Sequence, residues 1–89
     1  MKIIGTFEVS KGYEHWKKTF MSHEPKRKEW GMETVFTGME AKNQNIVHVC
    51  LEVESLEKVQ EFMKDPENAK VIEKAGVKIE TQIMIPIIE

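Results

Sequence analysis

The sequence has one cysteine in 89 residues, Cys50, which excludes an intrachain disulfide and any zinc site built from several thiolates. Its apolar runs fall far short of the ~20 residues a membrane-crossing helix needs, and Met1-Lys2-Ile3-Ile4-Gly5 is too poor in apolar residues for a secretory leader. A cytoplasmic protein with no membrane partner is expected. Positive charge is not in excess, because 13 Lys and Arg face 15 Asp and Glu for a net charge of −2. Nucleic acid is therefore not an expected partner. Glycine-rich phosphate loops, nucleophile elbows and paired-cysteine motifs are all missing, so the common nucleotide, hydrolase and zinc chemistries drop out. No metal and no tightly bound cofactor is expected. At this length residues 1–89 form one domain with a lean core, which self-association would enlarge.

What is present is strong periodicity. Ile3, Phe7 and Val9 share one parity and Ile4, Thr6 and Glu8 the other, which predicts a strand over about residues 2–9. Ser10 offers an oxygen to cap a helix carrying Tyr13, Trp16 and Phe20 at spacings of three and four. That helix should weaken before Pro25, and Lys26-Arg27-Lys28-Glu29 reads as a solvated turn or a last helical piece before Gly31. A second strand runs from Met32 to Met39, with Glu40 to Asn45 as a connection suited to a hairpin. In the third strand Val47, Val49, Leu51 and Val53 alternate with Ile46, His48, Cys50 and Glu52. Ser55 can cap a helix bearing Leu56, Val59, Phe62 and Met63, and the pattern breaks at Asp65-Pro66 and resumes with Ala69, Ile72 and Ala75 until Gly76. A last strand sets Val77, Ile79, Thr81, Ile83 and Ile85 against Lys78, Glu80, Gln82 and Met84, and Pro86 suits the end of an edge strand.

The order β-α-β-β-α-β with right-handed crossovers gives an α+β, ferredoxin-like sandwich: a four-stranded antiparallel sheet with both helices on one face and strands one and three central. If Val47, Val49, Leu51 and Val53 meet the helices, the uncovered face carries Ile46, His48, Cys50 and Glu52, with Ile4, Thr6 and Glu8, and with Glu80, Gln82 and Met84 of the last strand. This mixture is too apolar for a plain solvent surface and too polar for an ordinary core. A homodimer interface enclosing a polar cavity fits it.

The layout, the aromatic helix Tyr13 to Phe20, Trp30-Gly31 before strand two, Gly38 after Phe36-Thr37 and the Val47-to-Val53 strand together resemble the dimeric alpha/beta-barrel superfamily. Within it the chain is similar to a family of small bacterial proteins of unknown function, distantly similar to the antibiotic-biosynthesis monooxygenases. The resemblance implies two sheets packed by their uncovered faces, with ligands between sheet and helices or inside the barrel. It does not choose among oxygenases, isomerases and ligand-sensing domains.

His48, at the sheet centre, is the candidate acid or base, weighed against a histidine simply hydrogen-bonded in an interface. Cys50 and Glu52 share its face, but same-face neighbours on a strand stand about 6–7 Å apart, so a shared metal ion is not expected. Trp16 and Phe20 would wall a pocket between helix and sheet, His23 lies near the Trp16 edge, and His15 falls outside the stripe. The first 30 residues carry 7 basic and 4 acidic groups (+3) and the remainder 6 and 11 (−5), an asymmetry most simply read as a solvated loop at Lys26-Arg27-Lys28. Two functions follow. One is a cofactor-independent monooxygenase- or isomerase-like enzyme acting on a small apolar or aromatic metabolite, with His48 as base, Trp16 and Phe20 as walls, and Thr6, Glu52 or Gln82 orienting the substrate. The other is a non-catalytic dimer that senses a ligand or binds a protein partner.

Overall fold

The computed structural model describes residues 1–89. Strand β1 (Lys2–Val9) leads into two helical pieces, α1 (Tyr13–Ser22) and α2 (Glu24–Glu29), then the hairpin β2 (Met32–Glu40) and β3 (Asn43–Val53). Two more helical pieces, α3 (Leu56–Met63) and α4 (Pro66–Ala75), precede β4 (Val77–Ile87). The strands form one antiparallel sheet in the order β2-β3-β1-β4, so β1 and β3 are central as expected. No helix is long and apolar enough to cross a membrane.

Each predicted helix is split where proline removes a donor. Pro25 and Pro66 sit in the first turns of α2 and α4, where their missing N–H groups would have had no intrahelical partner. Asp65 accepts from the Glu67 amide and Ser55 from the Lys58 amide, both as cap residues, while Gly76 ends α4 in the left-handed region. Ser10 does not cap α1. The cap position falls to Gly12, at φ 84°, and Ser10 instead bonds the Gly76 carbonyl through its backbone amide at 2.8 Å, tying the end of β1 to the end of α4. The hairpin is also tighter than expected, because Asn43, Gln44 and Asn45 belong to β3 and only Ala41 and Lys42 make the turn. Asn43 Oδ1 accepts from the Asn45 amide at 2.9 Å, so these polar side chains help to hold the strand start that composition alone reads as a loop.

The core lies between sheet and helices. Ile3, Phe7 and Val9 of β1 and Val47, Val49, Leu51 and Val53 of β3 face Tyr13, Trp16, Val59, Phe62 and Ala75. On the other side Ile4, Thr6 and Glu8 pair with Cys50, His48 and Ile46, which bears out the expected face for both central strands.

Strand β4 departs from the expected pattern. Glu8 pairs with Lys78 and Thr6 with Ile83, so four β4 residues, Ile79 to Gln82, stand opposite the single residue Phe7. Three extra residues are an odd number, and an odd insertion reverses which face every later side chain takes. Beyond the bulge Met84 opposes Gly5 on the helix side and packs on the core, while Ile83, Ile85 and Ile87 oppose Thr6, Ile4 and Lys2 on the uncovered face. The expected exposure of Gln82 and Met84 on that face is therefore overturned. Thr81 supports the bulge by accepting from the Glu8 amide at 2.9 Å and donating to the Lys78 carbonyl at 2.6 Å.

Candidate functional site

The sheet divides the candidate residues between its two sides. Trp16, Phe20 and Gln82 line a cavity of about 80 Å³ between helices and sheet, with Phe7, Phe62 and Met84 among its walls. Thr6, His48, Cys50 and Glu52 lie on the opposite, uncovered face. The sheet itself separates the sets, so His48 cannot act as base on a molecule held against Trp16.

The aromatic stripe builds the cavity as its spacing requires. Trp16 is 1% exposed and stacks on Phe20 with ring centroids 4.6 Å apart, while Phe7 tilts against it at 5.5 Å. Tyr13 shares a hydrogen bond of 2.7 Å with Thr37 Oγ1, which pins the start of α1 to β2. Gly5 makes room from below, since a Cβ there would come within 3.0 Å of both Met84 Sδ and Val49 Cγ1.

The charged run of α2 is not simply solvated. Lys26 reaches Glu67 at 2.8 Å across to α4, but Arg27 turns inward, 4% exposed, and joins the cavity wall. Its Nη2 donates to the Phe20 carbonyl and to Glu24 Oε2, both at 2.7 Å, and its guanidinium lies 3.5 Å from the Phe20 ring centroid. Glu24 also accepts from the Thr34 amide at 3.1 Å and hydroxyl at 2.5 Å. Burial pushes the Glu24 carboxyl up, yet the bonds from Thr34 and Arg27 outweigh it and hold the group below its ordinary range. Burial likewise draws the Arg27 guanidinium down, against the pull of Glu24.

His23 is brought near this cluster but not into the cavity wall. It is 8% exposed, its ring centroid lies 5.9 Å from that of Phe62, and its Nε2 has no partner. Burial first, and the Arg27 charge second, lower its pKa, so the ring is held neutral. His15, as expected, is exposed, and its Nε2 donates to the Lys74 carbonyl at 2.8 Å.

On the uncovered face His48 sits in a hydrogen-bonded chain. Glu40 Oε2 lies 2.8 Å from Nε2, and Thr6 Oγ1 lies 3.0 Å from Nδ1. A carboxylate only accepts, so Nε2 carries a proton, and in the neutral ring Nδ1 accepts from the Thr6 hydroxyl. The order carboxylate, imidazole, hydroxyl is one that can orient a histidine and pass a proton along it. Gly38 opposes His48, and a Cβ at Gly38 would meet nothing within 4 Å, leaving the flank of the ring open. Cys50 is 2% exposed despite its place on this face, packed between Ile4 and Phe36 on the neighbouring strands, and Glu52 is bonded to Lys2 at 3.2 Å. The Lys2 ammonium holds the Glu52 carboxyl below its ordinary range. No three His, Cys, Asp or Glu side chains converge to hold a metal ion.

Two contributors escape the sequence reading. Glu40 sits in what composition marks as a hairpin connection, yet it continues β2 two positions past Gly38, the partner of His48, and so shares the face of that ring. Arg27 sits in a charged run whose only sign of burial is that Phe20, seven residues earlier, offers both a ring and a carbonyl.

Comparison with solved structures shows the same fold. A protein from Deinococcus radiodurans that bears the name antibiotic biosynthesis monooxygenase aligns over 100% of this chain and 94% of its own, at a TM-score of 0.64 and 11% identity. A second structure of that name aligns over 99% and 98%, at 0.66 and 7%, and one from Chloroflexus aurantiacus over 99% and 92%, at 0.63 and 12%. No protein of curated function matches the sequence. The family model of a domain of unknown function, DUF3764, matches residues 2–86, and the chain belongs to that family.

Proposed function

We propose that the chain binds a small apolar or aromatic molecule in the cavity between helices and sheet, and does so as a homodimer joined through the uncovered sheet faces. One observation carries the binding reading: a cavity of about 80 Å³ kept open inside a lean core and lined almost wholly by apolar and aromatic side chains. At roughly 10–15 Å³ per water-sized occupant this volume takes about five to eight non-hydrogen atoms, the size of a single ring or a short branched chain. The dimer reading rests on Phe36, Ile83, Ile85 and Ile87, each between 43% and 58% exposed on one face. The three solved relatives bear a monooxygenase name, and their likeness to this chain is one of fold.

Binding without chemistry in this cavity is the reading favoured, because no titratable group poised for proton transfer lines it apart from the ion-paired Arg27. A second reading, a cofactor-independent enzyme of monooxygenase or isomerase type with His48 as base, is favoured by the Glu40–His48–Thr6 chain, and it places the substrate between the two sheets of the dimer. Toluene tests the cavity directly. Near-saturating toluene should raise the thermal midpoint and shift the methyl resonances of Val49, Val59 and Ala75 in NMR spectra, and a spectrum and midpoint left unmoved would sink the proposal.

A further inference from the structure

The cavity has an apolar body, but three side chains on its wall, Arg27, Asn68 and Gln82, carry N–H donors without a good acceptor. Arg27 lines it, and its buried Nε–H has no partner. Asn68, 5% exposed, reaches only Met63 Sδ at 3.7 Å through Nδ2, and Gln82 reaches only Met84 Sδ at 3.7 Å through Nε2. A thioether is a weak acceptor, so all three groups gain from a better one. A buried donor left unsatisfied is costly and uncommon in folded proteins, and the Arg27 Nε–H is one; beside it Asn68 and the half-buried Gln82 are held only by thioethers, so this wall fits an occupant that supplies an acceptor.

The charge balance limits what that acceptor can be. Arg27 is already matched by Glu24, 2.7 Å away, and both side chains are buried, 5% and 13% exposed. A second carboxylate would enter as an uncompensated negative charge beside Glu24, and a cation would meet Arg27 and a wall of donors. A hydrocarbon would leave the donors as they are. From the cavity's size, its aromatic walls and these three donors, we infer that the natural ligand is a neutral carbonyl compound whose apolar part is about one ring in size, with its oxygen turned toward Arg27. This inference rests on the cavity being the binding site.

Acetophenone, ethylbenzene and benzoate, similar in size and different in polar group, separate the alternatives on the unmodified protein. Titration calorimetry should find acetophenone bound about tenfold more tightly than ethylbenzene, as one buried hydrogen bond to a charged donor predicts, with benzoate weaker than acetophenone. The ¹H–¹⁵N resonance of Arg27 Nε–H should move with acetophenone and not with ethylbenzene. Ethylbenzene binding as tightly as acetophenone, or an Arg27 resonance unmoved by acetophenone, overturns the donor assignment while leaving the cavity reading standing. Benzoate binding most tightly overturns the neutrality. Absence of binding by all three overturns the cavity reading itself.

Discussion

The isoleucine row that the β4 bulge turns outward gives the proposed dimer a measurable weak point. Ile83 pairs with Thr6 beside His48 near the middle of the uncovered face and keeps 58% of its surface exposed. Complete burial of an isoleucine contributes about 1.5–3 kcal/mol, so covering the exposed part contributes about 1 kcal/mol in each protomer. A two-fold interface counts every substitution twice. Ile83→Asp therefore removes about 2 kcal/mol of apolar burial, roughly 30-fold in the dimer dissociation constant, before the cost of enclosing two carboxylates is added. The monomer should be unharmed, since the side chain lies on the exposed face of an edge strand. Sedimentation velocity over a concentration series should show the unmodified protein dimeric at about 100 μM and the variant shifted toward monomer by at least that factor. Lys70→Asp, on an exposed position of α4, should leave the association unchanged. An unmodified protein that stays monomeric over this range, or an Ile83→Asp protein that dimerises as tightly, would refute the reasoning.

Other perturbations read the cavity side. Gly5→Ala places a Cβ 3.0 Å from Met84 Sδ and Val49 Cγ1 and should cost about 1–3 kcal/mol in urea denaturation, and an unchanged midpoint would contradict the packing described. Arg27→Leu leaves Glu24 buried without its partner and should cost about 3–5 kcal/mol, whereas Arg27→Leu combined with Glu24→Gln should recover much of the loss; a double variant as unstable as the sum of the singles removes the coupling. His23 has a folded pKa below its ordinary value of about 6.5, so below that pH the unfolded chain binds a proton the folded one refuses, and the stability this neutral ring contributes above pH 6.5 is lost as pH falls through the folded value. His23→Leu should therefore lose less stability than the unmodified protein between about pH 7 and 5.5, and equal slopes of denaturation midpoint against pH would refute it.

The central strands were legible in the sequence because each is paired along both edges and buries one face, so that the alternation of Val47, Val49, Leu51 and Val53 had a single consistent solution. The caps at Ser55 and Asp65 and the stop at Gly76 were legible for a related reason: each depends on one residue's own backbone and side chain. The edges were not. In β4 the parity Val77, Ile79, Thr81, Ile83, Ile85 is apolar except at Thr81, and a single hydroxyl does not mark the three extra residues that reverse the faces after Lys78. The bulge is fixed by Thr81 reaching the Glu8 amide, a contact across more than seventy positions that a local pattern does not contain. Glu40 was illegible for the same reason, since its face is set by the one-residue shift in the β2–β3 register between Thr34 and Phe36, after which Phe36, Gly38 and Glu40 share the side of His48. Of the candidate set, Trp16 and Phe20 followed from helical spacing alone, while Gln82 joined them only because of the bulge.

That bulge links the two sides of the sheet. By turning Met84 inward against Gly5 it closes the floor of the helix-side cavity, and by turning Ile83, Ile85 and Ile87 outward it makes the opposite face apolar enough to favour a partner. The same odd insertion therefore supplies a wall to the cavity and an apolar row to the proposed dimer face, and a change that removed it would disturb both. Were the ladder regular beyond Lys78, Met84 would oppose Lys2 on the uncovered face, and Ile79 and Ile83 would oppose Phe7 and Ile3 on the helix side. A ligand that displaces Met84 presses on an edge strand whose next residue, Ile83, lies on the proposed interface, so occupancy of the cavity and strength of the dimer should be coupled. By linkage the effect must be equal in both directions: if toluene changes the dimer dissociation constant by some factor, dimerisation must change the affinity for toluene by the same factor.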